Sequence, residues 1–235
     1  MIPKTIHYCW FGGNEKPKLA KKCIASWRRF CPEYEIIEWN EDNFDVNRTA
    51  YSRYCYHNKK WAYLSDYVRL VVISQYGGIY FDTDVEVRAP FDSLLDNSAF
   101  FAFESENTIN TGLGFGAEKD DYMVKAMLSF YKYNKEDDVI VKGCPELNTK
   151  ALLPFGLRLN GRIQKLGNAL ILPVDYLNPY DDPTGRLRIT DNTLSIHWYS
   201  KSALSKTSIL RSKLTKPFHR LFGVDCFRWL KQKKG

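Results

Sequence analysis

Apolar residues fall at two spacings along the chain, and the spacing changes from strand-like to helical and back. Thr5–Phe11 is β-branched and aromatic and stops at Gly12-Gly13, the pattern of a buried strand running into a glycine turn. Leu19, Ile24 and Trp27 recur at helical spacing over Lys18–Phe30, with Pro32 just beyond. Tyr34–Trp39 reads as a second strand. Strand, helix and strand in that order predict a parallel pair joined by a right-handed crossover.

Trp61–Tyr76 carries the clearest helical signal, with Ala62, Leu64, Val68, Leu70, Val71, Val72 and Ile73 on a broad apolar face and Gly77-Gly78 to end it. Ile79-Tyr80-Phe81 follows as a short apolar strand, and Asp82-Thr83-Asp84 stands where that run stops. Val85-Glu86-Val87 precedes a break at Pro90. Further on, Ala99–Glu104 predicts a strand, Ile109–Phe115 a loop-to-strand stretch, Asp121–Tyr133 a helix, and Ala169–Pro173 and Leu194–Trp198 two late strands. Alternating strands and helices early, with shorter strands later, predict an open α/β sheet. In such sheets ligands bind at the carboxyl ends of the strands, which is where Asp82 and Asp84 fall.

Charge changes this picture at one end only. The chain of 235 residues has a formal net charge of +7. Ten Lys or Arg against the single acid Asp225 lie in residues 201–235, so the preceding residues hold 24 basic and 26 acidic side chains. A near-neutral body argues against nucleic acid as a partner. The segment 204–235 reads as a basic, amphipathic appendage to a domain spanning 1–203, at most two short helices divided by Pro217 and Gly223. Its mixture of Ile209, Leu210, Leu214, Phe218, Leu221, Phe222, Phe227, Trp229 and Leu230 with basic residues suits an anionic membrane surface. It equally suits a helix packed on the body with a solvated basic face. Six cysteines without zinc spacing, no signal-peptide pattern and no long apolar run give the expectation of free thiols in a cytoplasmic protein, which the membrane reading of the tail would place on the inner face of a membrane.

In a strand, Asp82 and Asp84 would point to one side, and two adjacent carboxylates call for a cation such as Mg²⁺ or Mn²⁺. A solvated turn is the plainer reading of the triplet taken alone. Asp66 and Arg69 share a face of the preceding helix. Among apolar neighbours, a buried Arg needs an anionic partner, either carboxylate or phosphate. Trp10, beside its glycine turn, is either a core residue or a flat ring for stacking.

These stretches together resemble a known family. Ile2–Gly13, Ser65-Asp66-Tyr67-Val68-Arg69-Leu70 and Tyr76–Asp84 look like the ordered motifs of the family-32 type of glycosyltransferase, DXD-containing sugar transferases of capsular and surface polysaccharide synthesis. That family is distantly related to the yeast initiating α-1,6-mannosyltransferase and to the clostridial glucosylating toxins. The resemblance implies a GT-A (Rossmann-like) open mixed sheet flanked by helices, a nucleotide-sugar donor carried by uridine diphosphate, a divalent ion and retention of configuration. It implies that Trp10 stacks on the base, Asp66 and Arg69 contact donor sugar and diphosphate, Asp82 touches ribose and sugar hydroxyls, and Asp84 ligates the metal. His197, at the end of an apolar strand, is implied as a metal or phosphate contact, a core histidine being the plainer reading, with Glu104, Asn110 and Ser202 as further donor contacts; His7 is equally a structural residue or a nucleotide contact. The family's closing Ser-Trp pair is Ser202-Ala203 here. A saccharide or lipid-linked saccharide is the implied acceptor. A nucleotide-sugar hydrolase, or a relative that only binds its ligand, is the alternative.

Overall fold

The computed structural model describes residues 1–200 and 206–227. Strand β1 (Thr5–Cys9) pairs in parallel with β2 (Glu35–Trp39), and α1 (Lys18–Phe30) makes the crossover. Helix α2 (Ala50–His57) starts at Thr49, whose side chain accepts from Ser52 N while the Ser52 side chain reciprocates, a capping box that fixes the helix start. Helix α3 (Trp61–Tyr76) feeds β3 (Gly78–Tyr80), and β4 (Val85–Val87) follows a turn. Strands β5 (Ala99–Ser105), β6 (Thr108–Ile109) and β7 (Phe115–Ala117) lead to α4 (Tyr122–Leu128) and α5 (Cys144–Leu152). The chain continues through β8 (Gln164–Leu166), β9 (Ala169–Leu172), α6 (Val174–Leu177), the hairpin of β10 (Tyr180–Asp181) and β11 (Arg186–Leu187), β12 (Ser195–His197) and α7 (Lys206–Phe222).

The main sheet runs β2-β1-β3-β7-β5-β9-β8, with β6 paired to β5. Parallel pairs (β1 with β2 and β3, β5 with β9) coexist with antiparallel ones around β7 and β8, so the sheet is mixed. Both faces are covered. Alternation along β5 sends Phe101 and Phe103 into the core with α3 and α4, and Phe100 and Ala102 into the core with Trp27 of α1. β12 pairs antiparallel with β4 in a separate two-stranded sheet.

Three expectations change. The Asp82-Thr83-Asp84 triplet is a turn rather than a strand end, closed by Val85 N donating to the Asp82 carbonyl at 3.0 Å. Helix α7 is not divided at Pro217, which lies inside it. Pro217 is on the exposed side, so the carbonyl four residues back loses its partner where water can replace it. Gly223, with φ +82°, does stop the helix. Finally, α2, α5 and the β10–β11 hairpin form where the pattern gave no element. The boundary drawn at 203/204 lies outside the described residues, as do Trp229 and Leu230. Among the described residues no helix is long and apolar enough to cross a membrane. All six cysteines are unpaired.

Candidate active site

Helix α3 and the turn after β3 build the floor of a cavity of about 770 Å³ at the carboxyl end of the first strands. The guanidinium of Arg69 is its hub. Arg69 Nη2 lies 3.0 Å from Asp66 Oδ1 and 2.8 Å from Asp82 Oδ1, and Nε donates to the Ser65 carbonyl at 3.1 Å. The Tyr80 hydroxyl adds a hydrogen bond to Asp82 Oδ1 at 3.1 Å, and the Tyr80 ring lies 4.8 Å from the guanidinium carbon. Arg69 and Asp66 are both buried. Burial disfavours charge on Arg69, but its carboxylate neighbours hold it protonated. One guanidinium cannot compensate both acids: burial pushes Asp66 up to about 6 and raises Asp82 as well.

Asp84 is held instead from β12 and the residues just after it. His197 Nε2 lies 3.1 Å from Asp84 Oδ1, and Ser200 N donates to Oδ2 at 2.7 Å. Although burial opposes its charge, His197 and the Ser200 N–H keep Asp84 well below the ordinary carboxylate range. Burial also works against a charged His197, yet the Asp84 carboxylate outweighs it and raises the imidazole.

Ligand atoms of Asp82, Asp84 and His197 all lie within 4.8 Å of one another. These residues fit a divalent cation. Their donor set is two carboxylates and an imidazole, and the Asp66-Arg69-Asp82-Asp84 group carries an excess of negative charge away from bulk water. The buried His197 Nδ1 has no hydrogen-bond partner among the described residues.

Aromatic rings wall the cavity. Trp10 lines it with its Nε1 donating to the Asn14 carbonyl at 2.6 Å, and Lys16 Nζ lies 5.6 Å from the Trp10 ring centre. Trp61, at the start of α3, is a second lining indole that the sequence pattern did not single out. Gly12 lies against it with φ +89°: a Cβ there would sit 2.9 Å from Trp61 Cε2, so only glycine lets the turn close on the ring. The loop after β6 closes the back of the site. A Cβ on Gly112 would meet Asp82 Oδ2 at 2.5 Å and Arg69 Nη1 at 3.1 Å.

Of the residues anticipated as donor contacts, Trp10, Asp66, Arg69, Asp82 and Asp84 line this cavity together. Asn110 supports it from behind: its Oδ1 accepts from Gly112 N at 2.7 Å and from Cys144 Sγ at 3.2 Å. Glu104 lines a neighbouring cavity of about 670 Å³ instead. It accepts from Asn110 Nδ2 at 2.9 Å and from the Tyr199 hydroxyl at 3.2 Å. His7 is a correction. It is fully buried, with Trp39 Nε1 donating to Nδ1 at 3.0 Å and Nε2 lying 3.0 Å from the Gly77 carbonyl, so both nitrogens serve the fold. Ser202, like Ala203, lies outside the described residues.

Residues not anticipated include Ser200, Cys144 and Tyr199. Tyr199 has φ +50°, its ring lies 4.2 Å from that of His197, and it lines the second cavity. A bulky residue at positive φ is a strained choice, which marks it once seen but leaves no trace in sequence.

Comparison with known proteins agrees with this geometry. Residues 17–101 match the family described as "Glycosyltransferase sugar-binding region containing DXD motif". The chain is 26% identical over 145 residues to inositol phosphoceramide mannosyltransferase 1 of Schizosaccharomyces pombe, covering 57% of this chain and 44% of that protein. With inositol phosphoceramide mannosyltransferase 3 of the same yeast it shares 32% identity over 127 residues, covering 48% and 33%. The chain thus spans less than half the length of these relatives. The solved structure titled "PaToxG Glycosyltransferase" superposes with a TM-score of 0.52 at 19% identity, over 65% of this chain and 69% of that one. The mixed sheet with helices on both faces is accordingly a GT-A-like α/β fold. With its ordered motifs and its matched DXD region over residues 17–101, the chain is similar to the DXD-containing glycosyltransferases of the family-32 type.

Proposed function

We propose that this chain transfers a sugar from a nucleoside-diphosphate donor, a uridine diphosphate sugar, to a saccharide acceptor, with divalent-metal dependence and retention of configuration. The observation that carries the reading is the convergence of Asp82, Asp84 and His197 below a cavity walled by two indoles. Trp10 and Trp61 offer flat apolar faces to a nucleobase. Asp82, Asp84 and His197 would hold Mn²⁺ or Mg²⁺, which when bound would neutralise diphosphate charge.

Arg69 keeps Asp82 oriented by a short ion pair and presents a fixed positive charge beside the leaving group. Asp66, raised to about 6, is suited to contact a sugar hydroxyl as donor or acceptor near neutral pH. The second cavity, lined by Tyr199, is where the acceptor would enter. In the step itself, the acceptor oxygen bonds to the anomeric carbon on the face from which the diphosphate departs. The bond to the diphosphate oxygen breaks, and that oxygen takes the acceptor proton. Detection of a glycosyl-enzyme adduct by mass spectrometry would overturn this course.

Nucleoside diphosphate release from a panel of sugar nucleotides, with Mn²⁺ and with or without oligosaccharide acceptors, tests the reading. Because the curated relatives are named for mannosyl transfer, the panel includes nucleotide-linked mannose beside the uridine diphosphate sugars. Asp84→Asn is expected to lower turnover about 10²–10³-fold while the folded chain remains. Full turnover in that variant would remove the metal assignment. Acceptor-independent release alone would favour a hydrolase.

A further inference from the structure

Helix α7 is turned inside out. Its half-buried side is largely polar: Ser212, Thr215, Lys216 and His219. Of these, Lys216 and His219 meet the β10–β11 hairpin. Lys216 Nζ lies 3.0 Å from Asp182 Oδ1 and 2.6 Å from the Tyr180 hydroxyl, and His219 Nδ1 lies 3.2 Å from the Pro183 carbonyl. Arg186 Nη2 donates to the Arg220 carbonyl at 2.9 Å. On the opposite side Leu210, Leu214, Phe218 and Leu221 recur at three- and four-residue spacing, all exposed, Leu214 to 63% and Leu221 to 76%. Phe222, the last residue of the helix, and Val224 just beyond it extend the apolar surface.

Charge selects the partner for this face. The helix contains no acidic residue, and Arg211, Lys213 and Arg220 are exposed. A second copy seated face to face would bring Arg211 and Lys213 toward their own equivalents, a repulsive arrangement. A lipid surface carrying negative headgroups meets both requirements. The leucines and Phe218 enter the acyl boundary while the basic side chains stay at the headgroups.

We propose that α7 is a membrane-docking helix that seats the protein on an anionic bilayer by its outward Leu210-Leu214-Phe218-Leu221 stripe. Since the same helix packs on the hairpin that lines the second cavity, docking would hold that cavity's mouth beside the lipid surface. The inference needs no assumption about catalysis, and its test reads binding only.

The full chain is sedimented with vesicles of phosphatidylcholine containing one-quarter phosphatidylglycerol, and with phosphatidylcholine alone. Binding is expected to the anionic vesicles, weakening with salt. A Leu214→Ser, Phe218→Ser double variant is expected to bind at least about ten-fold more weakly. Lys213→Gln is expected to lose about five-fold at low salt. That charge variant keeps the test open if the apolar one does not fold. Equal binding to both vesicle types, undiminished binding of the double variant or of Lys213→Gln, or a solution dimer that the double variant dissolves, would each overturn the proposal.

Discussion

Helices α3 and α7 are of nearly equal length and break the usual inside-out rule in opposite directions. Helix α3 is apolar around most of its circumference and buried, yet carries Asp66 and Arg69 into the interior. Helix α7 turns polar groups toward the body and leaves its leucines in the open. A buried charge is costly unless paired, and an exposed apolar stripe is costly unless covered. Each violation therefore points to a partner. For α3 much of it is intramolecular, the Asp66-Arg69-Asp82 cluster; for α7 it is, in the docking proposal, a lipid surface.

The largest effect is expected at the Arg69 hub. Arg69→Ala strands two carboxylates in the interior and is expected to destabilise the fold by about 3–5 kcal/mol in denaturant titration. A loss under about 1 kcal/mol would mean that Asp66 and Asp82 do not depend on it. Leu70→Ala, on the same helix in the packed core, is expected to cost about 2–5 kcal/mol by the same titration.

A pH effect comes next, at the C-terminal end of α3. Burial lowers His7 from the ordinary value to about 4, and the Trp39 N–H occupies the nitrogen that would take the proton. The folded state therefore binds this proton less readily than the unfolded state does. Its stabilising effect is complete above pH of about 6.5 and is lost as pH falls toward about 4, by about 3 kcal/mol at the acid end. Melting curves of His7→Gln are expected to lose this portion of the acid slope; a variant that keeps the full wild-type slope would show that other groups carry it.

The smallest effect is expected at Leu214. Leu214→Ala in solution is expected to change stability by about 0.5 kcal/mol or less, because that side chain is already in water. Comparison of its unfolding curve with that of Leu70→Ala tests directly whether the two helices differ as described. A Leu214 cost matching that of Leu70 would place the stripe in a core.

Sequence reading reached the strand–helix–strand opening, the bounds of α3 and the Asp66, Arg69, Asp82, Asp84 set. It did so because those signals are local: periodicity, a glycine stop and residues close along the chain. The two acids do converge, but through a turn at Asp82–Val85 rather than through strand alternation. His7 was misplaced because its partners, Trp39 and the Gly77 carbonyl, lie 32 and 70 residues away. Tyr199, Ser200, Cys144 and Trp61 carry no signature of their own. Their places follow from the way β12, α5 and α3 pack around the cavity.

Local signals alone thus fix the strand–helix–strand opening, the acids available for a cation and the concentration of basic charge in the last residues. Each follows from composition and from spacing within a single element. Only tertiary structure decided that His197 closes on Asp84 across 113 residues, that Glu104 belongs to the second cavity, and that α7 faces outward with its apolar side. These depend on which surfaces meet. The hydrophobic effect rewards burial without direction, and only the packed partners decide which face of a helix is left over.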